Sequence, residues 1–213
     1  RSNDAMRLAL DSLVTTLEGL GHRCELIEPN MGLGWDAFVQ MNACFWATNT
    51  SAWLEALSSE TGRPLNGDWL EPATLAMHEY GKALRATDLL AAMDQRNLVS
   101  RSMAGFFQRH DVLLSPSLAE FPAVIGAYNA GQEQLDGLGW MHRVFDHSPF
   151  TALANICGTA SMSVPLYQDP ASGLPIGMQF SAGAAGDALL LSLAGQLEQA
   201  LPWAARRPAV WAA

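Results

Sequence analysis

At 213 residues, with 49% hydrophobic and 15% charged side chains, the chain is long enough to bury a core and too apolar to be disordered. A net charge of −9 argues against a nucleic-acid surface, which needs clustered Lys and Arg to neutralise phosphates. No apolar run approaches the roughly 20 residues that span a bilayer. Three cysteines, Cys24, Cys44 and Cys157, are odd in number and lack a C-x-x-C spacing, so a reducing, cytoplasmic setting is expected rather than a disulfide framework.

The chain starts Arg1-Ser2-Asn3-Asp4, which reads as a cut within a longer chain and not as a signal peptide. Over residues 3–20, Met6, Leu10, Leu13, Val14, Leu17 and Leu20 recur at helical spacing, with Ser2 or Asn3 placed to cap and Gly21 placed to close. A short strand is expected from Arg23 to Ile27, stopped by Pro29. Residues 35–57 read as a helix, followed by a loop through Gly62, Pro64, Asn66 and Gly67. Two more helices are expected, from about Pro72 to Leu84 and from Asp88 to His110 with Thr87 as cap.

The strand Val112–Leu114 ends at Pro116. Residues 115–147 are punctuated by Pro116, Pro122, Gly126, Gly131, Gly137 and Gly139 and read as a long irregular connection, of the kind that carries function. A short helix is expected from Pro149 to Cys157. Strands near Ser161–Pro165 and Ile176–Ser181 are joined by a turn over residues 169–173, and a helix runs from Asp187 to Glu198.

Isolated candidates for chemistry are weak. Ser115 and Ser117, like Ser161 and Ser163, lack the Gly-rich strand-to-helix turn that exposes a nucleophile beside backbone N–H groups. Asp146-His147-Ser148 are adjacent, and triad members are assembled from distant positions. His142 and His147 have no further ligands at a recognisable spacing, so no metal is expected, nor any cofactor. Lys82, the single lysine, reads as an exposed helical residue beside Glu79 and Arg85.

Three motifs in the last third are specific because they occur together. Asn155-Ile-Cys-Gly158 leads to Val164-Pro165, Gly173-Leu-Pro-Ile-Gly-Met-Gln179 follows, and then Asp187-Ala-Leu-Leu-Leu191. In this order and spacing they resemble the C-terminal end of the amidase signature family, serine hydrolases of amide bonds. "F-F-x-x-x-D-V-L-L-S-P" from Phe106 to Pro116 is similar to that family's segment carrying a late helix into a strand. The Pro202-Trp203…Arg206-Arg207-Pro208 tail resembles the 6-aminohexanoate cyclic-dimer hydrolase branch.

The resemblance implies an α/β fold, with helices on both faces of a mixed β-sheet, as a single domain over residues 1–213 equivalent to the C-terminal portion of an amidase domain. It implies hydrolysis of a carbon–nitrogen bond in a small-molecule amide by the parent protein. The family's Lys-Ser-Ser relay lies in its N-terminal half, in a Gly-Gly-Ser-Ser-Gly-Gly-like segment, and this chain has no Gly-Gly dipeptide. No catalytic residue is therefore assigned here, and the chain is expected to supply scaffold and pocket wall. The implied substrate-contacting positions are Ser148, seven before Asn155; Thr151, on the same turn; Arg96, fifteen before Asp111; and Cys44, on the helix carrying Trp46. Asn155 and Gly158 are expected to be structural. Partners would be a missing N-terminal half or a second copy. A self-associating interaction module and an independent serine hydrolase are the alternatives.

Overall fold

The computed structural model describes residues 2–207; Pro208, the end of the tail motif, lies outside them. These residues form two compact units. The first comprises residues up to 29, 103–121 and from 148; the second comprises residues 30–102 and 122–147.

The first unit opens with α1, Asp4–Gly19. Asn3 caps it, its Oδ1 accepting the Met6 N–H at 3.0 Å. Its far end closes on Gly21, whose φ is +93°, with Gly21 N–H donating to Glu18 O and His22 N–H to Leu17 O, both at 3.0 Å. Met6, Leu13 and Leu17 of the predicted stripe are buried together with Ala9, while Leu10, Val14 and Leu20 are half-buried.

Residues 23–27 correct the expectation of a strand. They carry no regular structure, and Leu26 and Ile27 are exposed. A Leu-Ile pair before a proline is not enough for a strand, which needs a partner to receive its backbone groups. Glu25 instead meets His110 Nε2 at 3.3 Å, and that ring stacks on Phe106.

Three strands make one sheet in the order β1-β3-β2, where β1 is Val112–Pro116, β2 is Ser161–Gln168 and β3 is Pro175–Ala182. The α/β class holds, and both pairings described are antiparallel. The β2–β3 turn is built as expected: Gly173 N–H donates to Asp169 O at 2.8 Å, Asp169 Oδ2 accepts the Ser172 N–H at 2.7 Å, and Gly173 takes φ +72°. On one sheet face Val164, Leu166, Ile176, Met178, Phe180 and Ala182 are buried in one core with the α1 stripe and with Leu190, Leu193 and Leu197 of α7, Asp187–Ala200.

The second unit is helical. α2 runs Trp35–Thr61, one turn beyond the expectation, and stops where Gly62 takes φ +69°. α3, Pro72–Ala83, begins with proline at its first turn, where no N–H is needed. Its first turn is also held by Gln132, whose Oε1 accepts from Ala73 N at 3.3 Å and whose Nε2 donates to Glu71 at 2.8 Å. α4, Ala86–Phe107, of which residues 103–107 belong to the first unit, starts before Thr87, which is thus no cap. Asp88 supplies the cap by reaching back to the Arg85 N–H at 2.8 Å.

The 115–147 connection is less irregular than its glycines suggest. Residues Gly137–His147 form α5, with Met141 and Phe145 buried one turn apart. Gly137 is a packing residue: a Cβ there would stand 2.8 Å from Ala76 O and 2.6 Å from Tyr80 Cβ on α3.

Candidate functional site

Ser148 and Thr151 belong to the first unit, Arg96 and Cys44 to the second. Ser148 and Thr151 flank the start of α6, Thr151–Cys157, which begins two residues later than expected, after a turn at Pro149 and Phe150. Both are half-buried. The N-cap position is Phe150, so neither hydroxyl is spent on capping the helix. At the other end Gly158 takes φ +65° and its N–H bonds Ala154 O, which also receives the Thr159 N–H at 3.2 Å. The expected backbone role of Asn155 is filled by these main-chain bonds, and its side chain is exposed.

In the second unit, Arg96 is exposed on α4 with its guanidinium carbon 5.9 Å from the centroid of the Phe45 ring. The neighbouring Cys44 faces inward at 5% exposure. Burial pushes its thiol pKa up, the Asp88 carboxylate adds to the rise, and a hydrogen bond with Thr48 opposes it. Tyr80 behaves alike. Burial raises its phenol, Cys44, Asp136 and Asp88 raise it further, and a hydrogen bond with Gln40 opposes them. Burial thus disfavours the thiolate and the phenolate, and neither group is set up as a nucleophile. Gln40, Cys44 and Thr48 share one face of α2 at intervals of four, a signal the sequence carried. Tyr80 and Asp136 had no such signal. Trp46, on the same helix, is 53% exposed and meets the edge of Phe145 at 6.4 Å.

The serine pairs have structural partners. Ser117 Oγ and Ser163 Oγ lie 2.5 Å apart across the sheet, and Ser161 Oγ and Ser181 Oγ lie 3.0 Å apart. Gln179 donates to Ser181 Oγ at 3.3 Å. None of these partners takes up a proton at neutral pH, so none of them activates a serine. Lys82 is half-exposed and ion-paired with Glu79 at 3.4 Å, in the second unit. Among the described residues, no group of three or more His, Cys, Asp or Glu side chains could hold a metal, and no helix is long and apolar enough to cross a membrane.

The amidase family model matches residues 1–191. A putative amidase, AmiC of Mycobacterium tuberculosis, is 35% identical over 196 residues, which cover 90% of this chain and 39% of that protein. A lipoamidase of Enterococcus faecalis is 30% identical over 153 residues, 64% of this chain and 21% of that protein. In fold, the chain is similar to 6-aminohexanoate cyclic dimer hydrolase, with a TM-score of 0.87 at 24% identity over 98% of this chain and 44% of that one. A bacterial aryl acylamidase gives 0.78 at 23% identity, covering 97% and 44%. The chain thus spans about 39% of the length of AmiC. With the family's C-terminal motifs in register and the family model matching most of its length, this chain belongs to the amidase signature family.

Proposed function

We propose that this chain is the scaffold and substrate-pocket wall of a hydrolase of carbon–nitrogen bonds in small amides, whose nucleophile is carried by residues outside it. The observations that support this most concern its own candidates: Ser117 bonds Ser163, Ser161 bonds Ser181, Lys82 is ion-paired with Glu79, and burial pushes the Cys44 thiol and Tyr80 phenol away from ionisation. The family relatives, more than twice as long, have room for a catalytic half that this chain does not contain.

In this reading Ser148 and Thr151, in the first unit, offer hydroxyls to a bound amide; Arg96, in the second, is tested on its own, and Cys44 faces its own unit's interior. Substrate selection follows the cyclic-dimer hydrolase branch, and the setting is cytoplasmic, which suits three cysteines that form no disulfide with one another. The test is turnover of simple anilides by the chain alone and by the chain mixed with the remaining portion of AmiC. Activity is expected only in the mixture, and a fluorophosphonate probe should leave this chain unlabelled. Stoichiometric labelling of a serine in this chain overturns the reading in favour of an independent serine hydrolase.

A further inference from the structure

The loop between α2 and α3 carries Asn66-Gly67-Asp68, and Asn66 is the only asparagine of the chain with glycine after it. One residue holds both ends of its side-chain amide. Asn66 Oδ1 accepts the Asp68 N–H at 3.1 Å, and Asn66 Nδ2 donates to Asp68 Oδ2 at 3.2 Å. The first of these bonds closes an Asx turn, which folds the side chain back along its own following peptide. The main chain turns with it, Asn66 O accepting the Trp69 and Leu70 N–H groups at 3.2 and 3.0 Å.

This turn favours attack of the Gly67 nitrogen on Asn66 Cγ. Gly67 has no side chain to shield its nitrogen, and no described backbone carbonyl accepts its N–H. Gly67 and Asp68 are exposed, so solvent base and water reach the bond. The Asp68 N–H polarises the Asn66 side-chain carbonyl and stabilises the negative charge that develops on its oxygen during attack, as an oxyanion-hole donor does.

We propose that Asn66 is a self-modifying site, where the chain deamidates and so opens the turn that leads into α3. Solvent base takes the proton of the Gly67 N–H. The nitrogen bonds Asn66 Cγ, the Cγ–Nδ2 bond breaks, and Nδ2 leaves with a proton as ammonia, giving a five-membered imide. Water then opens the imide. Cleavage at Cγ leaves aspartate with the original main chain. Cleavage at the main-chain carbonyl leaves isoaspartate, with the side-chain carbons now in the backbone path. Aspartate sets a carboxylate against the Asp68 carboxylate in place of an amide donor, and like charges repel. Isoaspartate takes from the main chain the carbonyl that receives the Trp69 and Leu70 N–H groups.

The chain carries its own controls. Asn30 Oδ1 accepts the Gly32 N–H at 2.8 Å in the same kind of turn, but Met31 follows it. Asp136 also precedes a glycine, but Gly137 is buried against α3 as the first residue of α5. Both reacting atoms lie in the Asn66 turn, so the reaction is independent of any amidase activity.

The experiment ages the folded chain at neutral pH and follows its peptides by mass spectrometry, reading the amide-to-carboxyl mass change at each asparagine. Asn66 should convert at least about tenfold faster than Asn30. Gly67→Ala should slow the conversion about tenfold or more by obstructing the approach. Nothing lies within 4 Å of a Cβ at Gly67, so this variant keeps the turn. In the aged chain and in Asn66→Asp, the Trp69 and Leu70 amides should exchange hydrogen about tenfold faster than in the fresh parent. Conversion of Asn66 no faster than that of Asn30 overturns the site, as does Gly67→Ala converting at the parent rate. Trp69 and Leu70 amides that exchange alike in all three proteins overturn the opening of the turn.

Discussion

A Cβ on Gly81 would stand 2.2 Å from the carbonyl oxygen of Ala47, so α3 lies against the backbone of α2 at a separation that only glycine permits. The next nearest atoms, Ala47 C at 2.7 Å and Ser51 Cβ at 2.9 Å, are equally unable to swing aside. Gly81→Ala must therefore part the two helices, against the favourable helix propensity of alanine. We expect a net loss of about 1–3 kcal/mol, the usual range for overpacking. Thermal or urea denaturation reads it, and a variant as stable as the parent would show that the helices separate freely.

Gly158→Val isolates a different cost. Nothing lies within 4 Å of a Cβ at this position, so the substitution meets no steric wall beyond its own backbone. With φ at +65° a β-branched residue is strained, and about 1–3 kcal/mol should be lost. Gly158→Asn should lose clearly less, because asparagine tolerates the left-handed region. Equal losses for the two variants would mean that packing, not φ, sets the cost.

Cys44 should be slow to alkylate. Its thiol pKa is raised chiefly by burial, so at pH 8 iodoacetamide should modify it more slowly than an unstructured cysteine of pKa about 8.5. The same shift is a stability term. A thiol whose folded pKa exceeds its unfolded one stabilises the fold fully below the unfolded value, and that contribution is lost as pH rises through the folded value. Cys44→Ser should reduce the alkaline loss of stability above about pH 8.5. Rapid labelling of Cys44 in the folded chain at pH 7 would contradict the assignment.

Ser148→Ala should leave stability within about 0.5 kcal/mol, since the side chain is half-buried and caps no helix. In an active mixture with the complementary AmiC portion it should change the relative kcat/KM of small amides. Arg96→Ala should do likewise while sparing the fold. If neither variant alters substrate preference, the two residues are surface positions and the pocket wall lies elsewhere.

What the sequence determined by itself was local. The α1 stripe, its Asn3 cap and its Gly21 closure span contiguous residues, and the caps are satisfied within the helix's own backbone. The Asp169–Gly173 turn and the positive φ of Gly158 were legible for the same reason. So was family membership, because three motifs in register are a property of order along the chain. Tertiary contact decided the rest. Gly137 reads as turn chemistry, but it begins α5, and Tyr80 Cβ and Ala76 O of α3 stand 2.6 and 2.8 Å from where its Cβ would be, closer than van der Waals contact. Leu26 and Ile27 read as a strand, but they pair with no described strand and are exposed. Burial raises the Cys44 thiol and the Tyr80 phenol, and Asp88, on another element, adds to both through space, which no spacing encodes. Pro165 is legible on the β2 edge in the sequence, but the carbonyls of Pro165 and Leu166 are covered by Arg206, about forty residues further along the chain, which only folding brings to them.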